Sequence, residues 1–172
     1  MGNHTDHLEI KEATQLNHNQ IGKIQSIYNH YVLHSTATFD IQIPSVAAFS
    51  DRMNSIAAKY PFLVCMQGSE ISGYAYASEF RSKDAFDKTV ELTIYLHPEV
   101  QGKGIGSLLM STLLQKLKEK EFITAVSVVT QPNAASEKLH RKFGFISVGT
   151  LPNAGVKFGN NQSITFYYLD LR

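Results

Sequence analysis

Apolar residues recur at helical or strand spacing along nearly the whole chain, and no repeat or interdomain linker interrupts them. Residues 20–33 carry apolar side chains three or four positions apart, which predicts an amphipathic helix. A second helix is predicted to begin at Pro44-Ser45, because serine is a preferred N-cap residue. The apolar face of this second helix comprises Val46, Phe49, Met53 and Ile56.

The rest of the pattern predicts one sheet with two further helices. The predicted strands are residues 8–10, 62–67, 71–80, 89–96, 123–129, 145–151 and 164–169. The predicted helices are residues 105–121 and 134–143, the second ending at Gly144. The buried stripe of the longer helix is predicted to be Ile105, Leu108, Leu109, Leu113 and Leu117. We therefore expect a single mixed α+β domain over residues 1–172, with residues 1–7 as a flexible tail.

Composition argues against several kinds of partner and site. The chain is 43% apolar and 18% charged with a formal net charge of +1, which argues against a nucleic-acid or anionic-membrane partner. A single cysteine, Cys65, excludes an internal disulfide and a thiolate-rich zinc site. His30 and His34 have the spacing of a metal-ligand pair but no matching third ligand, so we expect no metal. Without an apolar stretch of about 18 residues or a signal peptide, the expected location is the cytoplasm.

The most informative segment, QGKGIG at residues 101–106, lies between a predicted strand and a predicted helix. Glycines at such a junction let backbone N–H groups surround an anion, and a helix N-terminus adds partial positive charge. Ser107 stands where a dinucleotide fingerprint needs glycine, and Gly104 follows Lys103 where a P-loop needs serine or threonine. A tight strand-to-helix turn would explain the glycines equally well if these six residues stood alone.

Gln101-x-x-Gly104-x-Gly106 resembles the coenzyme A pyrophosphate loop of GNAT-superfamily acetyltransferases. Downstream, Asn133, Ser136 and His140, before Gly144-Phe145, resemble the second cofactor segment of that superfamily. At helical geometry these three side chains fall within an arc of about 60°. Residues 27–39, 73–78, 89–95 and 155–159 extend the likeness to the phosphinothricin and methionine sulfoximine acetyltransferases.

This resemblance implies the GNAT acyltransferase fold, a mostly antiparallel mixed sheet flanked by helices, and a homodimer. It implies acetyl-CoA as co-substrate and a small-molecule amine as acceptor. The implied cofactor-binding residues are Ile94, Tyr95, Leu96, Gln101, Gly102, Lys103, Gly104, Ile105, Gly106, Asn133 and Ser136. The implied substrate-binding residues are Phe39, Arg81 and Phe86.

Acetyl transfer to an amine needs a base, because an ordinary ammonium has a pKa of about 10.4. Alternation along residues 89–96 places Glu91 on one face of a strand otherwise rich in apolar residues. An exposed face or an ion pair with Arg81 or Lys88 would also explain Glu91, but the resemblance implies the general base. It also implies that the Leu96 N–H stabilises the developing oxyanion. His140 occupies the position of the superfamily's usual tyrosine. It could protonate the leaving thiolate; alternatively, it is an exposed residue or contacts the cofactor's pantetheine arm.

One departure concerns the acceptor. The subfamily has Trp and Asp where this chain has Asn161 and Ser163. The resemblance therefore predicts acetyl-CoA as co-substrate more strongly than it predicts phosphinothricin as acceptor. Two alternatives remain: an acetyltransferase for a peptide N-terminus or polyamine, and a non-catalytic acetyl-CoA-binding module. The favoured interpretation is direct acetyl transfer to the amine of a small amino acid or analogue.

Overall fold

A computed structural model describes residues 8–172, which form a seven-stranded sheet and four α-helices. The strands are β1 (Leu8–Glu12), β2 (Phe62–Gln67), β3 (Glu70–Glu79), β4 (Thr89–Leu96), β5 (Thr124–Gln131), β6 (Ile146–Lys157) and β7 (Asn160–Asp170). The helices are α1 (His18–His34), α2 (Val46–Ala57), α3 (Ile105–Glu119) and α4 (Ala134–Lys142). The tail predicted for residues 1–7 lies outside the described residues.

The sheet order is β1-β2-β3-β4-β5-β7-β6. Strands β4 and β5 are parallel, whereas each of the other neighbouring pairs is antiparallel. A parallel pair needs a crossover connection, and α3 supplies it between β4 and β5. The mixed, mostly antiparallel sheet expected from the sequence is confirmed.

Helices pack on both faces of the sheet and create two apolar layers. Val90 and Leu92 of β4 pack on the α3 side with Leu109, whereas Tyr95 packs on the α1–α2 side with Phe49. Because successive strand residues point to opposite faces, Glu91 lies on the same side as Tyr95. Strand β4 therefore presents its carboxylate toward α1 and α2.

Side-chain caps set where α1 and α2 begin. Asn17 accepts a bond from the Gln20 N–H at 2.9 Å, and the Gln20 side chain accepts one from the Asn17 N–H at 3.0 Å. This capping box starts α1 two residues before the predicted position. Ser45 accepts from the Ala48 N–H at 3.2 Å, which confirms the predicted start of α2. Gly144, after α4, has φ 84°, the left-handed conformation that favours glycine.

The structure corrects several details. Leu108 is 37% exposed, whereas Met110 and Leu114 complete the buried stripe of α3. Val46 is 52% exposed although it was assigned to the apolar face of α2. Strands β6 and β7 are longer than predicted, because they pair as a hairpin through polar residues. In the described range, no helix combines the length and hydropathy needed to cross a membrane.

Candidate active site

Strands β4 and β5 separate part-way along their length. Within the described residues, their pairing runs from Thr89↔Thr124 to Glu91↔Val126 and then ends. Strand β4 continues to Leu96 and β5 to Gln131, so an opening forms beyond Glu91. A flat, extended group can enter such an opening and bond to the free edge of each strand.

The Leu96 peptide faces this opening. The His97 N–H donates to the Ser72 carbonyl at 2.8 Å, whereas Leu96 stands opposite Gly73. Because bonded and non-bonded positions alternate in an antiparallel pair, the Leu96 N–H and C=O point away from β3. They point toward the β5 side, where the sequence resemblance requires an oxyanion donor. The Leu96 C=O accepts a bond from the Tyr31 hydroxyl at 2.8 Å.

The glycine loop lies beyond the end of β4 and leads into α3. Gly102 and Gly104 have φ values of 77° and 86°, and no side chain caps the helix at Gly104. The first N–H groups of α3 therefore have no capping side chain, which suits them to bind an anion. Ile105 is buried in the core, so only its backbone could contact a ligand. Lys103 is exposed and could contribute charge.

The loop and the strand opening adjoin each other. A Cβ added to Gly106 would lie 3.5 Å from Leu96 Cδ1 and 3.6 Å from Leu139 Cδ2. The Gln101 amide donates to the Tyr31 hydroxyl at 3.2 Å, so Tyr31 contacts both segments. These residues fit a ligand with a charged phosphate end and an extended arm, as acetyl-CoA has. The Ile94 and Tyr95 side chains pack into the two apolar layers, so both residues could contact such an arm through backbone groups.

Helix α4 brings Asn133, Ser136 and His140 onto one face, as predicted. Asn133 caps the helix by accepting from the Ser136 N–H at 3.1 Å. His140 Nδ1 lies 2.7 Å from the Ser136 carbonyl and 3.3 Å from the Ser136 hydroxyl. A carbonyl only accepts, so Nδ1 carries the proton and Nε2 is an acceptor in the neutral ring.

His140 is 7% exposed, so the alternative of an exposed side chain is wrong. Its ring stacks on Tyr167 at 5.3 Å and meets the edge of Phe145 at 5.1 Å. Burial lowers the pKa of His140, and the bond to Ser136 only partly opposes this shift. The neutral ring with Nδ1–H offers an acceptor rather than a proton, which weakens the argument for an acid role.

Glu91 is the last residue of β4 that pairs with β5, at the point where the opening begins. It stands opposite Ser78 of β3 and is half-buried. Burial raises the pKa of Glu91, and the positive charge of Arg81 partly counteracts this. A carboxylate with a raised pKa is a better proton acceptor near neutral pH than an exposed one.

Arg81 and Phe86 line one pocket of about 160 Å³ at the connection between β3 and β4. Thr89, two residues before Glu91 and on the same strand face, also lines it. The Arg81 guanidinium lies over the Phe80 ring at 5.2 Å, and Phe80 contacts Phe86 edge-on at 5.7 Å. The pocket is therefore lined by the positively charged Arg81 guanidinium, which packs on an aromatic ring close to Glu91, the candidate base.

Phe39 lies elsewhere, in the α1–α2 loop (residues 35–45). Its ring contacts Gly155 of β6, and a Cβ added there would be 2.7 Å from Phe39 Cε2. The loop also packs against α1 and β4. The Thr38 hydroxyl lies 2.9 Å from the hydroxyl of Tyr28 in α1 and is hydrogen-bonded to the hydroxyl of Tyr95 in β4. The structure thus places Phe39 beside the β6–β7 hairpin and its loop above the strand that carries Glu91.

Two contributors were not found by sequence reasoning. Tyr31 and Lys157 lie in the segments 27–39 and 155–159 that carry the family resemblance, but neither was among the predicted site residues. Lys157 is 3% exposed and donates to the Thr38 carbonyl at 2.8 Å. The signal available was its alternation with Gly155 on β6, which puts both residues on one strand face. Cys65 is fully buried in the core.

The family model described as "Acetyltransferase (GNAT) family" matches residues 24–145. The chain is 36% identical over 152 residues to the L-amino acid N-acyltransferase MnaT of Escherichia coli, covering 86% of this chain and 87% of the relative. It is 32% identical over 163 residues to phosphinothricin N-acetyltransferase of Streptomyces viridochromogenes, covering 95% and 87%.

The fold is also similar to solved structures. The phosphinothricin acetyltransferase of Sinorhizobium meliloti, crystallised with acetyl-CoA, superposes with a TM-score of 0.89 at 32% identity. The match covers 95% of this chain and 88% of that one.

Proposed function

Because the chain belongs to the GNAT acetyltransferase family, we propose that it acetylates the α-amine of a small amino acid or analogue, using acetyl-CoA. The observation that carries the proposal is the position of half-buried Glu91 at the start of the β4–β5 opening, within electrostatic range of Arg81. The relatives act on amino acids and analogues, as their names state.

In the proposed mechanism, acetyl-CoA supplies an acetyl group activated as a thioester. Residues 101–106 and the N-terminus of α3 would bind its phosphates, and Asn133 and Ser136 would contact its pantetheine arm. The Leu96 N–H donates to the carbonyl oxygen as negative charge develops there. Of the described residues, none is placed as an acyl-accepting nucleophile: Cys65 is buried in β2, and burial raises the pKa of its thiol. The acetyl group therefore passes directly to the amine.

Glu91 is the proposed general base. It accepts a proton from the acceptor's ammonium group, directly or through water, and the neutral nitrogen forms a bond to the acetyl carbon as the carbon–sulfur bond breaks. Coenzyme A leaves as a thiolate, and the second proton lost by the nitrogen neutralises that thiolate, directly or through water. Arg81 is the proposed partner of the acceptor's carboxylate, because a guanidinium binds a carboxylate in a two-pronged geometry. Phe86 and Phe39 are the proposed apolar contacts of the acceptor side chain. His140 as an acid stays a prediction that its neutral tautomer disfavours.

Asn161 and Ser163 bear on the choice of acceptor. Both lie on β7, and Asn161 pairs with Val156, next to Lys157. The difference from the subfamily therefore falls on the hairpin that contacts Phe39. A peptide N-terminus or a polyamine is the alternative acceptor, although cationic Arg81 disfavours a polyamine.

The experiment is release of free thiol from acetyl-CoA across a panel of amines. The panel contains phosphinothricin, methionine sulfoximine, methionine sulfone, ordinary amino acids, short peptides and polyamines. We expect one amino-acid analogue to be acetylated and Glu91→Gln to lower kcat by at least about tenfold, the low end of what a general base contributes. Glu9→Gln, an exposed glutamate of β1, is the matched control and is expected to leave kcat unchanged. Acetyl-CoA binding without thiol release for any amine would instead favour the non-catalytic module.

The homodimer and the cytoplasmic location stay predictions. Strand β6 is an edge of the sheet, and Ile146, Val148 and Leu151 on it are each more than half exposed. Such an apolar edge is a place where a second copy could pack. Sedimentation equilibrium tests the predicted homodimer. We expect the wild-type protein to be a dimer and the Val148→Lys variant to be a monomer.

A further inference from the structure

Lys157, the last residue of β6, holds a buried ammonium group that the proposed mechanism does not use. Its side chain is 3% exposed. Its Nζ donates to the Thr38 carbonyl at 2.8 Å and to the Tyr31 carbonyl at 3.3 Å. Asp40 acts on it only as a nearby charge, and within the described residues no carboxylate forms an ion pair with it. A buried ammonium is unfavourable unless it is hydrogen-bonded, so these two carbonyls stabilise it, together with the Phe158 ring, whose centroid lies 5.1 Å from Nζ.

The two carbonyls belong to two segments distant in the sequence from β6. Tyr31 lies in the last turn of α1, where carbonyl groups and the helix dipole favour a cation. Thr38 lies in the α1–α2 loop, seven residues further on. The ammonium therefore joins the β6–β7 hairpin to the end of α1 and to the loop that carries Phe39.

Gly155 provides a second contact between the same two parts. It lies two residues before Lys157, on the same strand face. An added Cβ would stand 2.7 Å from Cε2 and 2.9 Å from Cδ2 of Phe39, closer than real Cβ atoms approach other atoms. The Phe39 ring therefore lies against the backbone of Gly155, and a larger residue would push the ring away.

We propose that Lys157 is a positioning residue for the acceptor: with Gly155, it fixes the α1–α2 loop so that Phe39 is held at the acceptor site. This inference rests on the proposed function, in which Phe39 is an apolar contact of the acceptor side chain. It also gives the hairpin that carries Asn161 and Ser163 a route by which it would influence acceptor choice. The hairpin sets the position of Phe39 through Lys157 and Gly155.

The acetyl-CoA side is expected to be unaffected. Tyr31 reaches Leu96 and Gln101 through its hydroxyl, and the Tyr31 carbonyl keeps a helix-end bond from the Ser35 N–H at 3.1 Å without Lys157. Loss of the ammonium therefore releases the loop while α1 stays in place. A change in acceptor binding with unchanged acetyl-CoA binding distinguishes this role from general destabilisation.

The test compares Lys157→Met and Gly155→Ala with the exposed controls Lys59→Met and Gly22→Ala. Met keeps the unbranched side chain of lysine up to the position of Cε but removes the ammonium group. For both test variants we expect the acceptor KM to rise at least about tenfold, with the acetyl-CoA KM and kcat within about threefold of wild type. Hydrogen exchange of amides 36–43, measured without acceptor, is expected to accelerate in Lys157→Met while exchange in β3 and β4 stays unchanged.

Each outcome decides the matter. An unchanged acceptor KM in Gly155→Ala overturns the proposal even if Lys157→Met fails to fold. Equal increases in both KM values, or unchanged exchange of the loop in Lys157→Met, also overturn it. If wild type acetylates none of the amines, the proposed function fails and the acceptor part of this inference fails with it. Accelerated loop exchange would then support only the contact between Lys157 and the loop.

Discussion

Gly73 is the position at which a single methyl group should disturb the proposed chemistry most directly. It lies on β3 opposite Leu96. A Cβ there would stand 2.7 Å from Leu96 Cδ2 and 2.9 Å from the Tyr95 carbonyl oxygen. The leucine methyl can rotate away, but the carbonyl is backbone and moves only with β4. Gly73→Ala therefore pushes β4 away from β3 at the residues that face the opening.

The size of the displacement follows from the contact distance. Ordinary contacts of a Cβ begin at 3.4 Å, so the Tyr95 carbonyl must move by about 0.5 Å. Since a displacement of about 1 Å at a reacting group can lower the rate about 100-fold, we expect kcat to fall about tenfold. Overpacking of this kind destabilises by about 1–3 kcal/mol, which corresponds to a Tm lower by roughly 2–12 °C for a chain of this size.

The assay is thiol release at saturating acetyl-CoA and acceptor, together with calorimetric Tm values. Gly22→Ala is the matched control, because Gly22 is exposed within α1 and no atom lies within 4 Å of its added Cβ. It should raise stability by about 0.5–1 kcal/mol and leave kcat unchanged. If Gly73→Ala keeps the kcat and Tm of wild type, the Tyr95–Leu96 peptide is not held against β3 as closely as the 2.9 Å distance requires.

Three further predictions concern other groups of the site. Because burial raises the pKa of Glu91, kcat/KM should fall as the pH drops below that pKa. Glu91→Gln should remove this acid limb of the pH profile. Arg81→Gln should move the limb to higher pH, because the charge of Arg81 lowers the pKa of Glu91. An acid limb at the same pH in Arg81→Gln would contradict the interaction. His140→Asn should lower the free energy of unfolding by about 1–3 kcal/mol but kcat by less than about tenfold, as expected of a packed, neutral imidazole; a loss as large as that of Glu91→Gln would restore the acid role. Cys65→Ala should keep kcat within about twofold, and iodoacetamide should label Cys65 only after unfolding, since its thiol is buried and its pKa is raised; inactivation by labelling of the folded protein would reopen a cysteine nucleophile.

Local pattern predicted the secondary elements well where burial is one-sided. The β4 boundaries predicted from alternation are those observed, and α3 differs from its prediction only at its C-terminal end. The assignment of Leu108 to the buried stripe was wrong, because helical periodicity identifies an apolar face but does not decide which edge of it meets the sheet. The β6–β7 hairpin was predicted too short, since pairing between backbones extends through polar residues that give no alternation signal.

For the candidate site, sequence reasoning identified groups whose geometry is local. The loop predicted to need glycines holds Gly102 and Gly104 in the left-handed conformation that favours glycine, and Asn133 caps α4 as expected of an asparagine before a helix. Arg81 and Glu91, ten residues apart, interact across the start of β4. Each of these features depends mainly on neighbours in the chain.

Sequence alone thus determined the family resemblance, the glycine loop and the strand face of Glu91, because backbone conformation, helix capping and strand alternation are set within a few residues. Only the tertiary structure decided what joins the site into one unit. The Gln101 amide meets the Tyr31 hydroxyl across 70 residues of sequence, and the Lys157 ammonium meets the Thr38 carbonyl across 119. Burial of an ammonium and close contact of a ring with a glycine depend on packing between distant segments, and no local pattern encodes that packing.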